Sequence, residues 1–244
     1  MKVAVFDLTC CEGCELQILN CEEELLDLTS AIEFVEFREA MSETDDHYDI
    51  AFIDGSCSQE SEIIRLRQIR ERSTMVIPIG SCACIGGINS LKNTYSMPEL
   101  LKADYGRFSD SFNSIPAVPV KSVIPIDYFI PGCPIVRKEF IRVVQELLAG
   151  RVPYQPSDPV CAECKLATNV CVFERGVTCL GPVTRGGCEA TCVTNGAVCW
   201  GCRGLIDEPN IYAEKLILEK ASLSVDDIMA KFHLFNTGQE DLWQ

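Results

Sequence analysis

The first 150 residues alternate short apolar runs with longer stretches in which apolar and polar residues are interleaved. Apolar runs of this length, bounded by Gly, Pro, Asn or Asp, are typical of buried strands. Five strands are predicted, at Lys2–Asp7, Ile32–Phe37, Asp49–Asp54, Thr74–Gly80 and Ile126–Gly132.

The intervals between these strands carry apolar residues at helical spacing, which predicts amphipathic helices. The apolar positions of the first two helices are Leu16, Ile18, Leu19, Leu25, Leu26 and Leu28, and then Ile63, Ile64, Leu66 and Ile69. A third helix is predicted from about Ile135 to Ala149. Alternation of strands and helices predicts an α/β fold with a doubly wound parallel sheet, for which we expect a flavodoxin-like strand order.

The pattern changes near residue 150. Gly150 and the proline-rich stretch 151–159 are typical of a linker. We therefore place a flavodoxin-like domain at residues 1–150 and a second domain at residues 151–244. The second domain has no strand pattern in its cysteine-rich part, which predicts a small irregular domain, and two amphipathic segments, Tyr212–Lys220 and Val225–His233, predict a helical tail.

Composition and charge narrow the possible partners. Apolar residues make up 47% of the 244 residues, enough for a packed core. The net charge of −15 argues against nucleic acid and against an anionic membrane surface, because both attract clustered Lys and Arg. We find no run of about 18 apolar residues and no export signal, so we expect a cytoplasmic protein that does not span a membrane.

The chain contains sixteen cysteines, which in a reducing compartment indicate metal binding more than disulfides. Eight of them lie between residues 161 and 202, with the spacing C-x2-C-x6-C-x7-C-x8-C-x3-C-x6-C-x2-C. Eight thiolates suit two cubane iron–sulfur clusters, although two structural zinc ions would also take four thiolates each. Several cysteine groups in one short chain favour a redox relay over zinc.

The cysteines of the first domain follow the predicted strands. Cys10, Cys11 and Cys14 follow the first strand, Cys57 the third, Cys82 and Cys84 the fourth, and Cys133 the fifth. The carboxyl ends of parallel strands meet at one edge of a sheet, where open α/β folds bind ligands. Cys11, Cys14, Cys82 and Cys133 could therefore hold a third cluster, the alternative being that Cys82 and Cys133 are buried thiols.

Four segments carry a specific resemblance: CEGCELQILN from Cys11, IGSCACIGG from Ile79, PGCP from Pro131 and CLGPVTRGGC from Cys179. They resemble the small subunit of nickel–iron hydrogenases, and most of all its cytosolic NADP-linked class, the sulfhydrogenase delta subunits. The resemblance extends from Val3 to about Gly204. It implies an electron-transfer subunit with three [4Fe-4S] clusters and a separate large subunit that holds the nickel–iron site.

The resemblance also implies which cysteines hold each cluster. The proximal ligands would be Cys11, Cys14, Cys82 and Cys133. The distal ligands would be Cys161, Cys164, Cys171 and Cys179. The medial ligands would be Cys188, Cys192, Cys199 and Cys202. In many hydrogenases a histidine stands at the position of Cys161, and a proline takes the place of one medial ligand, so Cys192 implies a four-iron medial cluster.

The chain departs from the family pattern at several residues. Glu15 directly follows the second proximal cysteine, so we expect a solvated carboxylate at a helix start rather than a proton path. Gly13 and Gly87 stand where oxygen-tolerant relatives carry two added cysteines, so that special cluster is not predicted.

Four cysteines have no assigned role. Cys21 is predicted to be a packed thiol, whereas any of Cys10, Cys57 and Cys84 could replace a ligand. The adjacent Cys10 and Cys11 are similar to the cysteine pair of the complex I relative of this fold. Since that relative lacks a domain with eight cysteines, we retain Cys11 and Cys14 as ligands.

These observations predict an electron-transfer subunit of a cytosolic nickel–iron hydrogenase, with the catalytic metal on its partner. Electrons would pass between the large subunit and a flavin/iron–sulfur diaphorase or a ferredoxin-like subunit. NADP, coenzyme F420, ferredoxin and a heterodisulfide-type acceptor all stay open. Two alternatives are an electron-transfer or assembly module of a hydrogenase-like complex without hydrogen chemistry, and a zinc-stabilised interaction protein.

Overall fold

Four apolar segments form one parallel sheet in the computed structural model, which describes residues 1–21, 24, 31–220 and 223–236. The strands are β1 (Lys2–Asp7), β2 (Glu33–Phe37), β3 (Tyr48–Asp54) and β4 (Ser73–Ile79). Their order is β2-β1-β3-β4, and each neighbouring pair is parallel. The predicted α/β class and the flavodoxin-like order of these four strands are confirmed.

The predicted fifth strand is wrong as a regular strand. The Ile130 N–H donates to the Pro78 carbonyl at 2.9 Å, and the Gly80 N–H donates to the Ile130 carbonyl at 2.8 Å. Ile130 thus forms an isolated parallel bridge with Ile79 at the end of β4. The ladder goes no further because β4 ends at Ile79, and Gly80, with φ +79°, begins the helix Gly80–Ile85. The segment nevertheless lies beside β4, where a fifth strand would be.

Helices and 3-10 turns follow the strands of this unit. The described helices are α1 (Gly13–Leu19), α2 (Glu60–Arg72), α3 (Gly80–Ile85), α4 (Met97–Tyr105) and α5 (Arg137–Leu148). The 3-10 segments are Ile88–Thr94, Gly106–Ser111 and Val120–Ser122. The rest of the first predicted helix, with Leu25, Leu26 and Leu28, lies outside the described residues.

Side chains of a strand alternate between the two faces of the sheet, and helices cover both faces. On one face, Val5 and Phe52 pack with Ile18 of α1 and Phe140 of α5. The rings of Phe52 and Phe140 are 5.1 Å apart. This packing fixes α1, and with it the turn that carries Cys11 and Cys14, against the carboxyl end of β1.

The other face packs against α2. Leu66 and Ile69 of this helix are buried with Ile53 of β3, as the apolar stripe predicted. Ile64 was wrongly included in that stripe, because its side chain is 59% exposed. Two residues before Leu66, it points to the opposite side of the helix at about 100° per residue.

The chain divides into two compact units, Met1–Pro153 and Tyr154–Gln244. The helices of the second unit are α6 (Val160–Leu166), α7 (Thr191–Thr194), α8 (Ile211–Lys220) and α9 (Val225–Asn236), with a 3-10 segment at Val172–Arg175. Its described residues contain no strand, and the predicted helical tail is confirmed. Within the described ranges, we find no helix with the length and apolar character needed to cross a bilayer.

Candidate metal centres

Four cysteines of the first unit meet at the carboxyl edge of the sheet. Cys11 and Cys14 lie at the turn from β1 into α1, Cys82 lies in α3, and Cys133 follows the segment beside β4. After burial and the charge of Asp54, charge on Cys133 and Cys11 also raises the pKa of the Cys82 thiol, and charge on Cys82 adds a smaller increase to the pKa of Cys14. The structure therefore brings the four predicted residues together. We call them the first cysteine group.

Two glycines with positive φ let the backbone approach these sulfurs closely. Gly80 has φ +79°, and a Cβ there would collide with the Sγ of Cys14. Gly87 has φ +55°, and a Cβ there would lie 3.1 Å from the Sγ of Cys82. A side chain at either position would both strain the backbone and occupy the space beside a sulfur.

Asp54 ends β3 beside the first cysteine group, and its side chain is only 2% exposed. Its Oδ1 accepts a hydrogen bond from the Gly55 N–H at 2.8 Å. Burial raises the pKa of Asp54 to about 6, although hydrogen bonds from Gly55 and from the Cys14 and Cys10 thiols oppose the rise. Asp54 was not predicted as a site residue; the available signal was an acidic residue at the carboxyl end of a strand.

Burial sets the pKa of the Cys14 and Cys82 thiols. It is the largest cause that raises the pKa of Cys82 to about 12, and it also raises the pKa of Cys14 above the usual range. The charge of Asp54 adds to both increases. Thiolates at these positions therefore need positive charge from a bound metal group, which must displace the thiol protons.

Glu15 contradicts the expectation of a solvated carboxylate. Its side chain is only 1% exposed, and its Oε1 has no hydrogen-bond partner among the described residues. Burial raises the pKa of Glu15 to about 8, and the charges of Asp54 and Asp7 add to the increase. The expectation was wrong because α1 turns this side chain toward Asp54 rather than toward water.

The four unassigned cysteines fall into two kinds. Cys21, Cys57 and Cys84 are buried, and their thiols donate to the carbonyls of residues 17, 59 and 78 at 3.3, 3.8 and 3.5 Å. Cys10 instead lies beside Asp54, whose charge raises the pKa of its thiol after the larger effect of burial. Cys10 is therefore the unassigned thiol that shares its surroundings with the first cysteine group.

The second unit brings together another predicted set, the second cysteine group: Cys161, Cys164, Cys171 and Cys179. Burial raises the pKa of Cys161 to about 12, and the charges of the other three thiols add to the increase. The Sγ of Cys179 accepts hydrogen bonds from the N–H groups of Gly181 at 3.4 Å and Cys199 at 3.3 Å. A Cβ at Gly181 would lie 3.2 Å from the Sγ of Cys161, so this glycine also leaves room for sulfur.

The last predicted set, the third cysteine group, comprises Cys188, Cys192, Cys199 and Cys202. Its members interact in pairs, Cys188 with Cys192 and Cys199 with Cys202. Cys188 and Cys199 also meet in one apolar cluster with Ala190 and Val193.

Arg203 lies beside the third cysteine group and is only 1% exposed. Burial raises the pKa of Cys188, the charge of Glu163 adds to the rise, and the Arg203 guanidinium opposes it. Neither Glu163 nor Arg203 was predicted as a site residue. The available signal was that each is a charged residue next to a predicted ligand in the sequence.

The donor set fits iron–sulfur clusters. The sixteen cysteines, all within the described residues, form no disulfide. Within those residues, no three His, Cys, Asp or Glu side chains converge on a point that a single metal ion could occupy. Zinc needs its four thiolates at about 2.3 Å from one ion, whereas a cubane cluster spreads four cysteines over four irons. Each of the three groups offers the four thiolates that one cubane cluster takes.

Glu214 of α8 is a buried acid that the sequence analysis also missed. It is 1% exposed, and neither carboxylate oxygen has a hydrogen-bond partner among the described residues. Burial raises the pKa of Glu214 to about 7, and its charge raises the pKa of both Cys161 and Cys179. The signal was its position on the apolar side of an amphipathic helix, four residues before the buried Leu218.

This chain is similar to known proteins over most of its length. The family model described as NADH ubiquinone oxidoreductase, 20 Kd subunit, matches residues 11–147. The sulfhydrogenase 2 subunit delta of Pyrococcus furiosus is 35% identical over 237 residues, which cover 96% of this chain and 99% of that protein. A subunit of the F420-non-reducing hydrogenase vhu of Methanococcus voltae is 32% identical, and the match covers 85% of this chain and 83% of that protein.

Solved structures show the same fold. A chain of an NAD+-reducing nickel–iron hydrogenase in the H2-reduced state matches with a TM-score of 0.59 at 24% identity. The match covers 64% of this chain and 95% of that one.

Replacing Gly80 by Ala should disrupt the first cysteine group, because the added Cβ would collide with the Sγ of Cys14. We expect a loss of about four irons per chain. Gly150→Ala is the matched control, since Gly150 also has positive φ (+66°) but no atom lies within 4 Å of the added Cβ. Iron analysis of anaerobically purified protein checks this, and equal iron in the two variants would contradict it.

Glu214→Gln should stabilise the protein, and the gain should increase with pH. The carboxyl of the unfolded chain releases its proton near the ordinary pKa of 4.5 and that of the folded chain near a pKa of about 7, so wild-type stability falls as pH rises between these values. The gain should grow from under about 1 kcal/mol at pH 5 to about 3 kcal/mol at pH 8. Denaturation midpoints at both pH values measure it, with the exposed Glu219→Gln on the same helix as control. A gain that is the same at pH 5 and pH 8 would refute the assignment.

Proposed function

The chain belongs to the family of the 20 kDa subunit of NADH ubiquinone oxidoreductase, and we propose that it is the electron-transfer subunit of a cytoplasmic nickel–iron hydrogenase. One observation carries the proposal: thiols lie close together at the edge of the sheet and again in the second unit, with sulfur as the recurring donor. Relatives that match most of the chain are named as hydrogenase subunits, which supports the same conclusion.

Each cysteine group would hold one [4Fe-4S] cluster. The first group would hold the proximal cluster, the second the distal cluster and the third the medial cluster. When bound, such clusters accept and release single electrons. The chain therefore needs no catalytic side chain of its own, and the work of its residues is to hold, insulate and tune the three centres.

The residues around the sulfurs are suited to that work. N–H groups of Gly181 and Cys199 point at the Sγ of Cys179, and Asn169 Nδ2 donates to the Sγ of Cys164 at 3.6 Å. Hydrogen bonds to sulfur stabilise negative charge and so raise a cluster's reduction potential. The buried carboxylate of Asp54 acts in the opposite sense at the first group. The chain would thereby give its centres different potentials.

A large subunit with the nickel–iron site would bind where the first cysteine group reaches the surface. Cys11 and Cys133 are exposed, and so are the nearby apolar side chains Leu16 and Ile88, at 50% and 47%. Exposed apolar residues beside a reactive centre are typical of a protein interface. We assign this face to the large subunit, and we propose a flavin/iron–sulfur diaphorase or a ferredoxin-like subunit as the next carrier.

Cys14→Ala in the complex with the large subunit should abolish hydrogen-dependent dye reduction and remove about four of about twelve irons. Cys21→Ala is the matched control, because Cys14 and Cys21 are both buried in the same apolar cluster. We expect the control to keep full iron and activity. Hydrogen uptake assays and iron analysis of both variants check this.

Two results would count against the proposal. Unchanged activity and iron in Cys14→Ala would remove the first cysteine group from the relay. A wild-type complex with all its clusters but no hydrogen-dependent reduction would favour a module that transfers electrons without hydrogen chemistry.

A further inference from the structure

In the sequence, Glu163 lies between two predicted ligands of the second cysteine group. Its carboxylate nevertheless binds the loop that carries Cys188 of the third group. We propose that Glu163 is a positioning residue that holds this loop in the shape needed to present Cys188 to its cluster. The inference rests on the proposed function, since it assumes that Cys188 ligates a cluster.

The carboxylate makes its contacts within four consecutive residues. Oε1 accepts a hydrogen bond from the Gly187 N–H at 2.5 Å, and Oε2 accepts one from the Ala190 N–H at 3.3 Å. The Cys188 thiol lies 3.8 Å from Oε2 and donates toward it. One side chain therefore holds the backbone on both sides of Cys188.

The loop adopts a conformation that needs such support. Gly187 has φ +108°, and the two non-glycine residues that follow Cys188, Glu189 and Ala190, have φ +54° and +50°. Left-handed conformations at consecutive non-glycine residues are unfavourable and persist only where neighbouring groups impose them. The hydrogen bond from Ala190 to Glu163 acts at the second of these residues.

The opposite side of the loop is held by two other groups. The Arg203 Nε donates to the Gly186 carbonyl at 2.7 Å, and the Gly186 N–H donates to the Asp158 carbonyl at 2.8 Å. A Cβ at Gly186 would lie 3.2 Å from Glu163 Oε1, so the carboxylate packs closely on the backbone. The loop is therefore held between the segment that precedes the second cysteine group and the residue that follows the last ligand of the third cysteine group.

These contacts predict that a change at Glu163 affects the cluster of the third cysteine group and not that of the second. Without the carboxylate, the loop loses the acceptors that fix Gly187 and Ala190, while Cys161 and Cys164 keep their own positions in α6. Replacing the carboxylate by an amide would keep one acceptor oxygen and remove a negative charge near Cys188. The first change should release one cluster, and the second should retain it at a more positive potential.

The test uses the anaerobically purified complex with Glu163→Ala, Glu163→Gln and Glu174→Ala, the last an exposed glutamate of the same unit as control. Cys188→Ala identifies the electron paramagnetic resonance signal of the third-group cluster. We expect Glu163→Ala to lose about four of about twelve irons and that same signal. Glu163→Gln should keep the iron and shift only that cluster's midpoint potential upward, and the control should match the wild type.

Two results would overturn the inference. If Glu163→Ala keeps all its iron and its potentials, the carboxylate does not position Cys188. If it loses the clusters of both C-terminal groups, Glu163 maintains the unit as a whole instead. A wild-type complex without iron and sulfide would refute the proposed function itself, before any variant is compared.

Discussion

The first centre depends on the parallel pairing of β1, β3 and β4. Because these strands run in the same direction, their carboxyl ends lie at one edge of the sheet. Cys14, Asp54 and Cys82 are far apart in sequence but follow or end these strands, so they meet there. Gly80 and Gly87 then leave room beside the sulfurs. A side chain at Gly80 or Gly87 would meet the sulfur of Cys14 or Cys82 and so disturb the centre.

The second unit brings distant cysteines together without a β-sheet among its described residues. Its apolar clusters are small, and Cys179 and Cys199 are themselves buried members of one of them. Irregular backbone is held by specific polar contacts instead, among them those of Glu163 and Arg203. In such a unit, the hydrogen-bonded loops, together with the proposed clusters, would supply the order that a larger core supplies elsewhere. Ligand residues and stabilising residues are therefore close neighbours.

Periodicity predicted the sheet well because burial on both faces makes strand segments nearly continuous apolar runs. β1 has the predicted bounds, and the four-strand order agrees with the expected topology. The segment at Ile130 failed as a strand because β4 ends at Ile79 and the chain turns into α3 at Gly80, which leaves no strand beyond the bridge for it to pair with. The buried acidic residues Asp54, Glu15 and Glu214 were not predicted to be buried, because in the sequence they resemble surface residues. Only tertiary packing removes them from water. The first cysteine group was expected because its members follow the strands, whereas the division of the last eight cysteines into two groups came from the resemblance to the hydrogenase small subunit.

The central claim is that this chain carries three iron–sulfur clusters. Its most direct test is the content of iron, acid-labile sulfide, zinc and nickel per chain in anaerobically purified protein. Three four-iron clusters predict about twelve irons per chain with an equal amount of sulfide, and no nickel in the isolated chain. About two zinc ions per chain with little iron would contradict it, because the second and third cysteine groups would then be structural zinc sites.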